Sequence, residues 1–245
     1  MPEWWLLNSK TQDQISAFIN NVARRVIDKY DSHYTENGLT GALGQELTRE
    51  GLYLSDTSVV FFYRKFGERR EEPHTGADGG FLITIKTQTD EVTKAVLFQA
   101  KKLPQDRPTS SLSLQTSEAS RLRNQIDTML KVTSESIVLT YTRQDIYALD
   151  ALKLGDETIK RLRYPFKCTR PLKLGTYLGK WVARCTRGDT DDDVVSKLRK
   201  PAGFINHLIE MNVQSQQKLL LADGDSEVVI EPSATNEIPK PIWRS

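Results

Sequence analysis

Residues 76–102 read GADGGFLITIKTQTDEVTKAVLFQAKK. Two runs rich in apolar and β-branched residues, 80–87 and 93–99, flank a polar stretch, which predicts two strands of an antiparallel hairpin. Side chains alternate faces along a strand, so Gln99 and Lys101 share one face and Ala100 takes the other. Asp78 stands at the start of the first strand and Gln99 at the end of the second. In a hairpin those two ends lie side by side. A carboxylate, an amide oxygen and an ammonium are therefore expected together at one end of a sheet.

Working outward, SVVFFYRKF at 58–66 is β-branched and aromatic and reads as a strand. It is followed by a charged loop, GERREEPHTG, closed by Pro and Gly. Upstream, Ile15, Phe18, Ile19, Val22, Val26 and Ile27 fall at helical spacing within 11–31. Leu39, Ala42, Leu43 and Leu47 mark a second helix over 39–50, with Gly51 as its stop. Downstream of a two-proline loop, Leu114, Leu122, Ile126, Met129 and Leu130 predict a helix over 112–131. SIVLTYT at 136–142 is expected as a buried strand, parallel to a neighbour because a helix precedes it. The order is helix, three strands, helix, strand.

Beyond residue 145 the pattern weakens. DIYALDAL suggests a short strand, and 172–185 has helical spacing. RGDTDDD at 187–193 reads as a loop leading into an acidic helix start. FINHLIEMNV at 204–213 is expected as a short helix, and QKLLLAD is expected to pair with EVVIE across Gly224. The expected organisation is a core with its N-terminal helix over 1–150, a C-terminal extension packed on it over 151–230, and a polar tail over 231–245.

A length of 245 residues suits one large domain or one domain with an appendage. A net charge of +2 excludes a globally basic nucleic-acid binder and leaves room for a local basic surface. Cys168 and Cys185 have no CxxC or Cys/His spacing, so there is no zinc signature. Two isolated thiols fit a reducing, cytoplasmic setting. No apolar run approaches a membrane span, so no membrane partner is expected, and MPEWWLLNSK is too short and wrongly charged for a signal peptide.

The GAD at 76–78, the apolar strand after it and the FQAKK at 98–102 resemble the PD-(D/E)xK nuclease superfamily. The resemblance is closer to its Gln variants, such as Mrr-type restriction endonucleases, because Gln99 stands where most members carry Glu or Asp. It spans roughly residues 36–142, over which the element order matches the αβββαβ core of that family. It implies an α/β, restriction-endonuclease-like fold: a mixed central sheet flanked by helices, with a C-terminal helical and hairpin extension. It also implies metal-dependent hydrolysis of phosphodiesters, most directly in DNA, in a bacterial restriction or anti-phage setting.

The chemistry assigns roles. Cleaving a phosphodiester needs an in-line water and cover for negative charge on the phosphoryl oxygens. A hard cation, Mg²⁺ or Mn²⁺, supplies both and prefers oxygen ligands. On the resemblance, Asp78 is an anionic ligand, the Gln99 side-chain oxygen and the Ala100 carbonyl are neutral ones, and Lys101 orients or deprotonates the water. A second carboxylate comes from the preceding helix, either Glu36 or Glu46. A Glu followed by Thr-Gly at a helix start is similar to several defence nucleases with a GAD…QAK core, which puts Glu36 ahead.

Each residue also has a plainer reading. Asp-Gly is a turn signal, a Lys pair on an edge strand blocks aggregation, and most helical glutamates are simply solvated. Gln115 and Gln125 are candidates to reach a phosphate. His33, His74 and His207 have no partner at ligand spacing, so none is assigned a metal. Arg64, Lys65, Arg69, Arg70, Lys101, Lys102, Arg107, Arg121 and Arg123 are candidates to track a nucleic-acid backbone. No DNA-reading motif is evident, so target choice is expected to fall to a protein partner or a homo-oligomer that controls activity. Two other readings stay open: a non-catalytic DNA-binding or interaction subunit in which Gln99 marks decay, and a scaffold dimer without nucleic-acid contact.

Overall fold

The computed structural model describes residues 4–29, 34–66, 74–103, 116–156, 171–184, 187–201, 203–216 and 220–221. A two-residue strand, β1 (Trp4–Trp5), precedes α1 (Ser9–Lys29), whose buried stripe is built on Ile15, Ile19, Val22 and Val26. Thr35 caps α2 (Glu36–Glu50) by accepting the Gly38 N–H at 3.2 Å, and Glu36 lies in the first turn, where the helix dipole favours a negative charge. A short strand, β2 (Leu52–Tyr53), turns into β3 (Thr57–Lys65).

The expected hairpin is β4 (Gly79–Lys86) with β5 (Glu91–Lys102), in register from Gly79 opposite Phe98 to Lys86 opposite Glu91. Next come α3 (Thr116–Val132), then β6 (Ser136–Tyr141), buried along its length and parallel to β5. β7 (Ile146–Asp150) returns antiparallel to β6 and runs into α4 (Ala151–Asp156). The 172–185 region opens as a strand, β8 (Leu172–Lys173), before α5 (Leu174–Thr176) and a π-helical turn, Tyr177–Val182. Asp191 caps α6 (Asp192–Arg199) with its carboxylate, the acidic start expected there.

One expectation is overturned. Residues 204–213 do not form a helix; β9 (His207–Ser215) is a strand inside the sheet. Ile209, Met211 and Val213 pack on one face and alternate with half-buried Glu210 and Asn212 and exposed Gln214, the period of a strand, whereas Phe204, Ile205, Leu208 and Ile209 recur at spacings of four and mimic a helix. β9 runs antiparallel to β3 and parallel to β4. It separates those two strands, and part of the 151–230 region is thus built into the sheet. The last described strand, β10 (Leu220–Leu221), pairs with β1. The proposed partner segment at 227–231 lies outside the described residues, as do the tail, His33, Arg69, Arg70, Arg107, Leu114, Gln115, Cys168 and Cys185.

The result is a mixed eight-stranded sheet in the order β2-β3-β9-β4-β5-β6-β7-β8. One face packs Phe61, Phe81, Phe98 and Tyr141 against α1, α2 and the π-turn. The other packs Leu82, Leu97 and Leu208 against α3, α4 and α6. Helices therefore cover both faces, and the open polar ground lies at the ends of the strands. No helix among the described residues is long and apolar enough to cross a membrane.

Candidate functional site

β4 stops pairing at Gly79, opposite Phe98, so residues 99–102 of β5 overhang it and pair with β6 alone. The overhang exposes backbone donors that a strand would otherwise satisfy, and buried N–H groups require partners. Two carboxylates supply them. Asp78 Oδ2 accepts the Ala100 N–H at 2.9 Å, and Glu36 Oε1 accepts the Lys102 N–H at 2.8 Å. The two donors are two residues apart, about 6.6 Å along a strand. The acids thus dock side by side on one strand edge, with Lys101 between them in sequence.

Local structure fixes the Asp78 end. Its carbonyl accepts the N–H groups of Asn206 and His207, both at 3.0 Å, so its backbone belongs to the start of β9 while its side chain reaches β5. Gly76 precedes it at φ +70°, and a Cβ there would sit 2.6 Å from the Gln125 carbonyl oxygen of α3. Only glycine combines that conformation with that approach. A Cβ on Gly79 would fall 2.3 Å from the Phe98 ring. Gly76 and Gly79 are therefore steric requirements for bringing Asp78 to β5.

Gln99 is 2% exposed. Its Nε2 donates to Asp78 Oδ2 at 2.5 Å and lies 3.4 Å from the Ala100 carbonyl, while its Oε1 is buried without a hydrogen-bond partner. A buried acceptor left unmatched costs about 1–3 kcal/mol. The Ala100 carbonyl, an expected ligand, thus meets the Gln99 amide, and the hydrogen bond Ala100 gives to the site comes from its N–H. Lys101 Nζ lies 3.6 Å from Glu36 Oε2, with the side chains 15% and 34% exposed. The Lys102 ammonium points elsewhere and donates to the Tyr34 carbonyl at 2.9 Å.

The structure brings together Asp78, Gln99, Ala100, Lys101 and Glu36, and leaves Glu46 out. Glu46 sits about 15 Å further along α2 and pairs with Lys29 at 3.1 Å and Arg49 at 3.5 Å. Its hydrogen bond to Lys29 is the main cause that holds its carboxyl below the usual range. His74 is exposed, and Arg64 is paired with Glu210 at 2.6 Å.

Three groups beneath the site were invisible in the sequence. Thr40, one turn after Glu36, donates to the Glu36 carbonyl at 3.0 Å. Its hydroxyl proton is then committed, so the Tyr141 hydroxyl, 2.8 Å away, donates to Thr40. This relay ties the first turn of α2 to β6. Burial drives the Tyr141 pKa far up; the Thr40 contact opposes this, and the Asp78 and Glu36 charges add to it. Tyr141 therefore stays neutral and lies within the field of both acids. His207 is fully buried with Nδ1 2.8 Å from the Tyr63 hydroxyl, and its backbone carries Asp78.

Among the described residues no three Asp, Glu, His or Cys side chains converge as in an all-residue metal site. The donor set here is two carboxylates and one amide oxygen. All are hard oxygen donors of the kind Mg²⁺ and Mn²⁺ accept, and the orphaned Gln99 Oε1 is the atom that such an ion would satisfy. Comparison with known proteins adds nothing to this: no family model matches the chain, and no curated protein or solved structure does.

Proposed function

We propose that the chain is a divalent-metal-dependent nuclease of the PD-(D/E)xK type, with a restriction-endonuclease-like core, acting on DNA in a restriction or anti-phage setting. One observation carries the reading: two carboxylates dock on alternate N–H groups of the β5 overhang, with a lysine between them and an unmatched amide oxygen alongside. Asp78, Glu36 and Gln99 Oε1 would hold Mg²⁺ or Mn²⁺, which when bound lowers the pKa of water and polarises the phosphoryl group. The Ala100 and Lys102 N–H groups fix the two carboxylates, and the Thr40–Tyr141 relay fixes the helix turn that carries Glu36. Lys101 orients the attacking water or offsets charge developing on the phosphoryl oxygens.

A second reading has an observation of its own. Gln99 Nε2 already occupies Asp78, and Glu36 already faces Lys101, so the polar groups are largely matched within the chain. That favours a non-catalytic DNA-binding or interaction subunit with the same architecture. Plasmid nicking with Mg²⁺, Mn²⁺ or EDTA, run beside Asp78→Asn, separates the two. Metal-dependent nicking that the variant loses supports the enzyme. Nicking that survives in EDTA or in Asp78→Asn sinks it, and DNA binding without any nicking favours the subunit.

A further inference from the structure

α2 holds two glycines in its interior, Gly41 and Gly44, where glycine weakens a helix. Tyr63 of β3 accounts for both. A Cβ on Gly44 would fall 2.3 Å from the Tyr63 ring, and one on Gly41 would fall 3.3 Å from its hydroxyl. The missing side chains open a slot that receives the tyrosine. Gly44 follows Glu36 and Thr40 at steps of four, so one face of the helix carries the acid, the relay and the slot. The Tyr63 hydroxyl lies 2.8 Å from His207 Nδ1, and the two rings stack with centroids 6.0 Å apart. We propose that Tyr63 and His207 are positioning residues that set the separation of the Asp78 and Glu36 carboxylates, and with it the affinity of the site for its cation; the proposal rests on the metal-dependent reading above.

The pair reaches both acids through their carriers. His207 donates its N–H to the Asp78 carbonyl at 3.0 Å, and a Cβ on Gly79, the next residue, would sit 2.6 Å from the His207 carbonyl oxygen. The backbone of Asp78 is therefore seated on His207. On the other side, Tyr63 fills the helix that carries Glu36. One tyrosine thus touches the helix of one acid and the residue that seats the other.

The separation matters because the cation is small. Oxygen ligands of Mg²⁺ lie about 2.1 Å from the ion, so two of them on one ion are at most about 4.2 Å apart. The N–H groups that anchor the two acids are about 6.6 Å apart along β5, so the carboxylates must converge from fixed carriers. The Thr40–Tyr141 contact ties the first turn of α2 to β6, and Tyr63 ties a later turn to β3 and β9. A helix held at one point can pivot; held at two, it cannot. Burial raises the Tyr63 pKa, so the phenol keeps its proton, and it can give or take a hydrogen bond with either tautomer of the imidazole.

The test is Mn²⁺ binding to the full chain, read from the paramagnetic resonance signal of the free ion, well below the lowest melting temperature of the set. The set is wild type, Tyr63→Phe, His207→Leu, their double variant, and Lys94→Met as a destabilised control at the far end of β5. Tyr63→Phe keeps the ring in its slot and is expected to raise the Mn²⁺ Kd about tenfold, the scale on which groups behind metal ligands act. The double variant is expected to lose no more than the worse single one, because both act through one bond. Lys94→Met is expected to melt earlier and bind Mn²⁺ as wild type does. Cleavage by Tyr63→Phe falls at low Mn²⁺ and returns at saturating Mn²⁺. Wild-type affinity in Tyr63→Phe overturns the proposal, as does an equal loss in Lys94→Met or a double variant in which the single losses add. Tyr63→Phe against Lys94→Met decides alone if His207→Leu does not fold. A wild type that binds no Mn²⁺ removes the metal reading and the proposal together. A chain that binds Mn²⁺, weakens as expected in Tyr63→Phe and cuts no DNA keeps the positioning pair and removes the nuclease.

Discussion

β5 carries a lysine near each end, Lys94 and Lys101, about 23 Å apart along the strand, and the protein treats them oppositely. Lys94 is 2% exposed, and its ammonium donates to the Val182 carbonyl at 2.7 Å and the Arg187 carbonyl at 3.3 Å. Around it, Arg187 pairs with Asp150 at 2.9 Å and Glu135 at 3.7 Å, the Gly188 N–H reaches Glu135 at 3.0 Å, and Asp189 bridges to Ala95 through two backbone bonds. Burial works against the Arg187 charge, but Asp150 and Glu135 outweigh it and raise its pKa. Lys101 stands 3.6 Å from one carboxylate, beyond good hydrogen-bond range, two residues along the strand from Gln99, whose amide oxygen has no partner. A cation whose bonds are closed within the chain tells how the fold is held. A cation held loosely by one carboxylate, in a site with one unmatched amide oxygen, is placed to act on something outside the chain.

The sharpest way to break this contrast is to swap the effects. Lys101→Met is expected to lower cleavage by about 10³-fold, about 4 kcal/mol of transition-state stabilisation, while shifting unfolding by less than about 1 kcal/mol. Initial rates on supercoiled plasmid and a urea melt measure both. Lys94→Met is expected to invert the pattern: about 2–3 kcal/mol of lost stability, from a buried Val182 carbonyl and a half-buried Arg187 carbonyl that lose this donor, at unchanged cleavage per folded molecule. If both variants lose both properties, the two ends are not different in kind.

Smaller effects sharpen the site end. Thr40→Val keeps the side-chain shape but cuts the relay from Tyr141 to Glu36. It should cost about 1 kcal/mol of stability and about tenfold in cleavage, with Thr40→Ser restoring the activity. An equal loss in the serine variant would assign the effect to packing instead. Smallest of all is Glu46→Gln, below about 1 kcal/mol. The folded pKa of Glu46 is depressed, so its contribution is present above about 4.5, the ordinary value, and is lost as pH falls through the folded one. Acid unfolding of the variant should therefore be flatter in that window while nuclease activity is untouched. Loss of activity would return Glu46 to the site.

The elements that were legible in the sequence have simple environments. α1 shows one apolar stripe, and the β4–β5 hairpin is delimited by polar ends, so period and punctuation suffice. β9 is misread because the turn residues Phe204 and Ile205 stand four before Leu208 and Ile209 and complete a helical spacing, although Ile209, Met211 and Val213 alternate with polar residues as a strand does. Asp78, Gln99 and Lys101 were legible because a hairpin places its two ends together. Glu36 and Glu46 sit on one helix, and the Thr-Gly after Glu36 ranks the two without showing their partners; the β5 overhang takes Glu36, and Lys29 takes Glu46. Thr40 meets Tyr141 across 101 residues, and Tyr63 meets His207 across 144, pairings that no local pattern encodes.

The orientation of the Gln99 amide offers the most direct test. A crystal of the full chain soaked with Mn²⁺ and measured for anomalous scattering should show one ion touching Asp78 and Gln99 Oε1, with the amide turned over so that Nε2 no longer donates to the carboxylate. Manganese absent from Asp78, with Gln99 Nε2 still bonded to it, would contradict the proposed metal centre.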